Sequence, residues 1–174
     1  ASGEGDEGVR YEEVRYEGYG PGGVAIIVDV LTDNVNRTAP EMRKLFENGN
    51  GNLAKPGSVA FGFESTGVIL IEESEASEDQ LMEVALDAGA SDIIQGEWGW
   101  EVTCDPVEFL TLRQAIEVAG INMLSAEVTL VPANLIACDI ELGAKVFKLL
   151  ESIDDHEDVQ KVYSNGDIPE GAME

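Results

Sequence analysis

Tyr16-Glu-Gly-Tyr-Gly-Pro-Gly-Gly-Val-Ala-Ile-Ile-Val-Asp-Val-Leu-Thr-Asp-Asn-Val-Asn-Arg-Thr38 joins three local signals in 23 residues. Gly18, Gly20, Gly22 and Gly23 surround Pro21. Glycine tolerates positive φ and proline holds φ at a turn value, so this stretch reads as a tight link between two strands. No GxxxxGK[ST] pattern follows, so it reads as a structural turn rather than a phosphate cradle. Val24 to Leu31 is apolar except for Asp29. Such a run suits a strand covered on both faces or paired at a sheet centre. Thr32-Asp-Asn34 then breaks the strand with side chains that bond their own backbone. A helix is expected to follow, capped by Asn36 or Thr38, with Glu41 completing a capping box and Pro40 in the first turn.

The 174 residues suffice for one domain or two small ones, and 44% are hydrophobic. No apolar run approaches the ~20 residues of a membrane helix, so membrane insertion is not expected. The opening Ala1-Ser-Gly-Glu-Gly-Asp-Glu-Gly8 is acidic and is expected to be a flexible tail, as are residues 169–174. It lacks the basic residues of a signal or transit peptide.

Ten Lys and Arg stand against 35 Asp and Glu, a formal net charge of −25. Phosphate backbones repel such a surface, so nucleic-acid binding by this chain alone is expected to be weak or absent. The acids read first as a solvated surface, and second as a docking face for a basic partner. Cys104 and Cys138 have no CxxC spacing, and with the single His156 they assemble no zinc site. They are expected to be small buried or half-buried residues in a reducing compartment. His156 lies among acids and is expected to be solvated in a turn.

Alternating strand and helix patterns run along the chain. Strands are expected at Val9–Tyr16, Val24–Leu31, Ser58–Phe63 and Gly67–Glu72, with a helix at Ala39–Asn48. From Ser77 the pattern restarts with a capping-box helix bearing Leu81, Val84, Ala85 and Ala88 on one face. Strands Asp92–Gln95 and Trp100–Cys104 follow. Asp105-Pro106 then opens a helix with Phe109, Leu112, Ile116 and Val118 or Ala119 inward, and Ala126–Val131 is the next strand. Trp100 is expected to pack into the sheet and Trp98 to be half exposed. Counted from Gly67 the order is βαββαβ, the ferredoxin-like arrangement. An extended Leu135–Cys138, a helix Glu141–Ser152 and a strand Val159–Tyr163 close the chain. The two outer portions each hold too few elements for a core of their own. The expected fold class is therefore α+β, with two α/β sandwich domains. Residues 9–66 with 133–168 form a discontinuous domain, and a ferredoxin-like domain, 67–132, is inserted into it.

Tyr16–Thr38 resembles the signature of the YebC/PmpR family. That family includes bacterial proteins called transcriptional regulators and the mitochondrial translational activator of cytochrome c oxidase. The resemblance continues through Gly57-Ser-Val-Ala-Phe61, Phe63, Gly67-Val-Ile69 and Met82-Glu-Val-Ala-Leu-Asp-Ala-Gly-Ala90. It extends through Ser125-Ala-Glu-Val-Thr129 with Pro132, and Asp158-Val-Gln-Lys-Val-Tyr163 with Asn165. It implies two α/β domains, the third family domain inserted into the second. The family's basic, helical N-terminal domain has no counterpart here. Val35 replaces a frequent arginine, and Ala54 with Ser65-Thr66 stand where relatives often carry glycine and basic residues. These changes remove positive charge from the surface that would meet nucleic acid.

The resemblance implies a non-enzymatic regulator of gene expression, acting at translation as a ribosome-associated activator, or at transcription. The alternative is a structural or accessory subunit that kept the α/β domains and lost the basic one. No nucleophile has a plausible base, so no enzyme, cofactor, metal or small-molecule substrate is expected. The expected partner is the ribosome or another protein complex. Arg37, Arg43, Lys44 and Lys55, with Tyr19 and Asn34, form the expected partner-binding set. Arg37 stands out because a cation at a helix start gains nothing from the macrodipole. Its bland reading is a local pair with Glu41. The expected location is intracellular and reducing, in bacterial cytoplasm or an organelle, either mitochondrion or chloroplast.

Overall fold

The computed structural model describes residues 10–173. Val9 and the expected N-terminal tail lie outside them. The elements in chain order begin with β1 (Glu12–Tyr19), β2 (Ala25–Thr32), α1 (Val35–Asn48) and β3 (Asn52–Ala54). Next come β4 (Phe63–Glu72), α2 (Glu78–Asp87), β5 (Ala90–Gln95), β6 (Gly99–Cys104), α3 (Phe109–Val118) and β7 (Ser125–Pro132). The chain closes with β8 (Ile136–Ala137), α4 (Ile140–Asp154), β9 (Val159–Ser164) and β10 (Gly166–Asp167). The fold is α+β, with two four-stranded sheets and four helices among the described residues. Two compact units emerge: one runs to Phe63 and resumes at Pro132, and the other is Glu64–Val131.

In the first unit the sheet order is β3-β1-β2-β9. The glycine-rich segment forms a 3-10 turn, Pro21–Gly23, in which Gly22 and Gly23 take φ of 72° and 79°. L side chains rarely adopt this left-handed region, which explains glycine at both positions. β2 occupies the sheet interior, paired antiparallel to β1 and β9. Val24, Ile26, Val28 and Val30 pack with Met42 and Phe46 of α1 and with Val146, Leu149 and Ile153 of α4. Ile27 points to the other face and is fully buried. A strand buried on both sides needs no polar alternation, which accounts for the nearly continuous apolar run. Its one charge, Asp29, lies opposite Arg15 of β1 and takes a bidentate pair at 2.7 and 3.1 Å.

In the second unit the order β5-β6-β4-β7 reproduces the ferredoxin-like sheet. Ile69, Ile71, Trp100 and Val102 pack with Leu81 and Ala85 of α2 and with Leu112 and Ile116 of α3. The Trp100 indole donates to the Ala76 carbonyl at 3.1 Å, while Trp98 is 47% exposed. Ser77 caps α2 through the Gln80 N–H. Asp105 accepts from the Val107 N–H and opens a 3-10 turn, Pro106–Glu108, that leads into α3.

Four local expectations change. Val118 and Ala119, at the end of α3, are both exposed, because the buried stripe of the helix ends at Ile116. α1 starts at Val35, capped by Asn34, so neither Asn36 nor Thr38 is the cap and the Thr38–Glu41 capping box does not form. Thr38 instead belongs to the buried stripe Thr38, Met42, Phe46. Ser58–Phe63 is not a strand, because Glu17 captures its backbone. The Glu17 carboxylate accepts from the N–H groups of Gly57, Val59 and Ala60 at 2.7, 2.9 and 2.8 Å, which turns the segment onto the face occupied by Ile27. Finally, Glu170–Met173, expected within a tail, form a 3-10 turn whose Ala172 is buried beside Gly143 of α4.

Candidate functional site

The turn after β2 and the turn before β9 meet in the first unit. The Thr32 and Thr38 hydroxyls lie 2.7 Å apart, both buried. Thr32 accepts from the Asn34 N–H at 3.0 Å, and Thr38 donates to Asp158 at 3.0 Å. The Arg37 guanidinium reaches Asp158 at 2.9 Å, Asp33 at 3.2 Å and Glu41 at 3.4 Å. Burial pushes the Asp158 carboxyl upward, but the Thr38 hydroxyl and the Arg37 charge outweigh it and hold it below its ordinary range. On the far side of α1, burial likewise pushes Glu17 upward. Its three backbone donors, Gly57, Val59 and Ala60, more than reverse the effect.

His156 completes this junction and is not the solvated histidine the acidic turn suggests. Its side chain is 12% exposed. Nε2 lies 2.8 Å from Glu41, and Nδ1 accepts from the Asp158 N–H at 3.1 Å. With Nδ1 accepting, the neutral ring carries its proton on Nε2 and donates it to Glu41. Glu41, His156 and Asp158 bring one ligand atom each within 4.8 Å of one another. Every one of those groups already has a partner, and a cation placed there would sit beside the Arg37 guanidinium. The cluster is therefore built as a junction between α1 and the approach to β9.

The residues singled out from sequence do not form one spot. Asn34 is the α1 cap, accepting from the Arg37 N–H at 3.2 Å. Arg37 is tied to its four acceptors, Asp33, Glu41, Asp158 and the Thr32 hydroxyl. Glu41 is thus one partner among several, and the bond to Asp158 spans the fold. Tyr19 is half-buried at the end of β1, opposite Asn52. Arg43 and Lys55 share a groove of about 500 Å³ with Val14, Arg15 and Tyr16 of β1. Lys44 lies on the other side of α1, in a cleft with Arg37, Asn48 and Ser152. That cleft shares Leu45, Asn48 and Ser152 with a second one lined by Lys145 and Lys148 of α4. These two lysines escaped the sequence reading. The available signal was their position beside inward-facing Val146 and Leu149, which turns both toward solvent.

Charge is therefore distributed unevenly. Residues 64–131 carry fifteen Asp and Glu against Arg113 alone, a formal −14. The other nine Lys and Arg belong to the first unit. Among the described residues, no carboxylate lies within ion-pair distance of Arg43, Lys44 or Lys55.

Comparison with known proteins gives concordant matches. The family described as TACO1/YebC second and third domain matches residues 11–166. A protein of Dictyoglomus turgidum named "Probable transcriptional regulatory protein" is 50% identical over 168 residues, covering 96% of this chain and 68% of the relative. A protein of the same name from Solidesulfovibrio magneticus is 49% identical over 163 residues, covering 94% and 66%. The chain thus spans about two thirds of the length of these relatives. A crystal structure of a conserved hypothetical protein from Aquifex aeolicus superimposes with a TM-score of 0.83 at 39% identity, covering 97% of this chain and 70% of that one.

Proposed function

This chain belongs to the TACO1/YebC family, and from that premise we propose that it is part of a non-enzymatic regulator of gene expression that acts at translation in association with the ribosome. Its curated relatives carry the name of transcriptional regulators. The observation that carries the reading is the gathering of cations around α1. On a chain of net charge −25, α1 carries Arg43 and Lys44 on its two sides, Lys55 lies beside Arg43, and Lys145 and Lys148 extend the Lys44 side. Cations concentrated on one part of an acidic protein steer and orient a partner of opposite charge. The ribosome offers such partners. Arg37 and Asn34 serve this surface indirectly, by fixing the start of α1. Two thiols without a disulfide, Cys104 and Cys138, fit a reducing compartment such as bacterial cytoplasm or an organelle interior.

A second reading, a structural or accessory subunit of a larger complex, is favoured by a different observation. Val107, Leu110 and Val118 of the second unit are 82%, 72% and 85% exposed on a surface of formal charge −14.

The test is sedimentation of the native protein from its own cells. The pairs Arg43→Glu/Lys44→Glu and Lys145→Glu/Lys148→Glu are expected to leave the ribosomal fractions while staying folded. Wild type that never sediments with ribosomes would overturn the translational reading. Wild type that does, with both variants unchanged, would remove the α1 surface from it.

A further inference from the structure

β3 pairs with β1 only at Glu17, Gly18 and Tyr19, although β1 begins at Glu12. The reason lies in the chain after Ala54. Pro56 has no N–H to offer a ladder. Glu17 then takes the N–H groups of Gly57, Val59 and Ala60 and draws the backbone onto the opposite face. The β1 edge over Glu12–Tyr16 is left without a strand partner among the described residues. In an antiparallel ladder, every second residue there turns its N–H and C=O to that edge. An edge of this kind is a template for another strand.

This edge is not bare surface. It borders the groove of about 500 Å³ already described. One wall is the α1 stripe Ala39, Arg43 and Glu47, spaced four residues apart so that all three face the groove, and its far end is β3 with Lys55 and Pro56. Three of the chain's ten cations, Arg15, Arg43 and Lys55, line it. Of its two carboxylates, Glu17 is committed to backbone donors. Arg15 is paired with Asp29, so the groove offers main-chain hydrogen-bonding groups along one side and the cations Arg43 and Lys55 among its lining.

We infer that the β1 edge at Glu12–Tyr16 is a strand-addition site, which receives an extended acidic segment of a protein partner in line with β3. Main-chain bonds to β1 supply affinity, and alternate side chains of the guest meet α1 on one face and Arg15 on the other. Acidic guest residues match Arg43 and Lys55. The inference rests on the reading of the α1 cations as a contact surface and names the kind of segment that this surface takes.

The experiment uses the 174-residue chain and an eight-residue synthetic peptide of alternating glutamate and valine. Amide hydrogen exchange is followed at each residue. The peptide is expected to slow exchange in Glu12–Tyr16, and Arg43→Glu to weaken its binding about tenfold. The same peptide N-methylated at alternate residues keeps its charge but loses ladder donors, and is expected not to bind. A lysine–valine counterpart is also expected not to bind. Equal binding of the N-methylated peptide, protection elsewhere, or no binding of the parent peptide up to about 1 mM would overturn strand addition. So would a uridine oligonucleotide that takes the groove in preference to the peptide. Loss of ribosome sedimentation in Arg43→Glu/Lys44→Glu alongside any of these results would leave the contact surface standing without strand addition.

Discussion

The guanidinium of Arg37 lies 2.9 Å from the carboxylate of Asp158, 121 residues later in the chain. One end of this pair sits at the start of α1 and the other just before β9. The pair joins the two passages of the chain that build the first unit, and Thr38 donates to the same carboxylate oxygen at 3.0 Å. A cation that is unfavourable for its own helix is thereby explained by tertiary structure.

Thr38→Val is expected to destabilise the first unit by about 1–3 kcal/mol, because it leaves the Thr32 hydroxyl and Asp158 short of a partner in a buried position. Thr38→Ser keeps the hydroxyl and should cost less. Arg37→Ala should lower the melting temperature rather than act only on partner binding. Urea unfolding of the three variants checks this. Equal stability of Thr38→Val and wild type would show that the relay contributes nothing.

Acid should weaken the first unit through Glu17 and Asp158. Both carboxyls are held below their unfolded values, so the stability they contribute is present above the ordinary carboxylate pKa of about 4 and is lost as pH falls through the depressed folded values. Glu17→Gln should therefore cost stability at neutral pH and flatten the decline in acid. Urea midpoints measured from about pH 7 to pH 3 report the slope. An unchanged slope in Glu17→Gln would count against the three backbone bonds as its source.

Residues 64–131 should fold as a separate fragment, since their core is contributed by β4–β7, α2 and α3. Within the fragment, Leu112→Ala should cost about 2–5 kcal/mol, as truncation of a fully buried leucine usually does. Acrylamide should quench Trp98 far more than Trp100, which is 4% exposed. A fragment without cooperative unfolding would mean that its core needs the rest of the chain.

The 174-residue chain alone should bind duplex DNA or ribosomal RNA fragments weakly at about 0.15 M salt. The reason is its net charge of −25, with ten Lys and Arg against 35 Asp and Glu. Fluorescence titration measures it. Submicromolar binding with a steep salt slope would contradict the expectation.

The sequence by itself determined what depends on near neighbours. The βαββαβ order follows from hydrophobic period and punctuation between Gly67 and Val131, and the sheet order β5-β6-β4-β7 agrees with it. Ser77 and Asp105 cap because an N-cap needs only the N–H groups two or three residues on. Trp100 is buried because it lies in β6 on the face that carries Val102, while Trp98 sits in the turn before Gly99, outside the strand, and stays exposed. Tertiary structure alone decided whatever depends on partners far away in the chain. Asp158 gave Arg37 and Thr38 their roles, and Glu41 engages His156 from 115 residues earlier. Glu17 reads as an exposed strand acid until its carboxylate is seen to gather Gly57, Val59 and Ala60 some forty residues on. That single capture ended β3 after three residues and left the β1 edge open. No local propensity encodes it, because the bonds exist only once the loop after β3 has closed over the sheet.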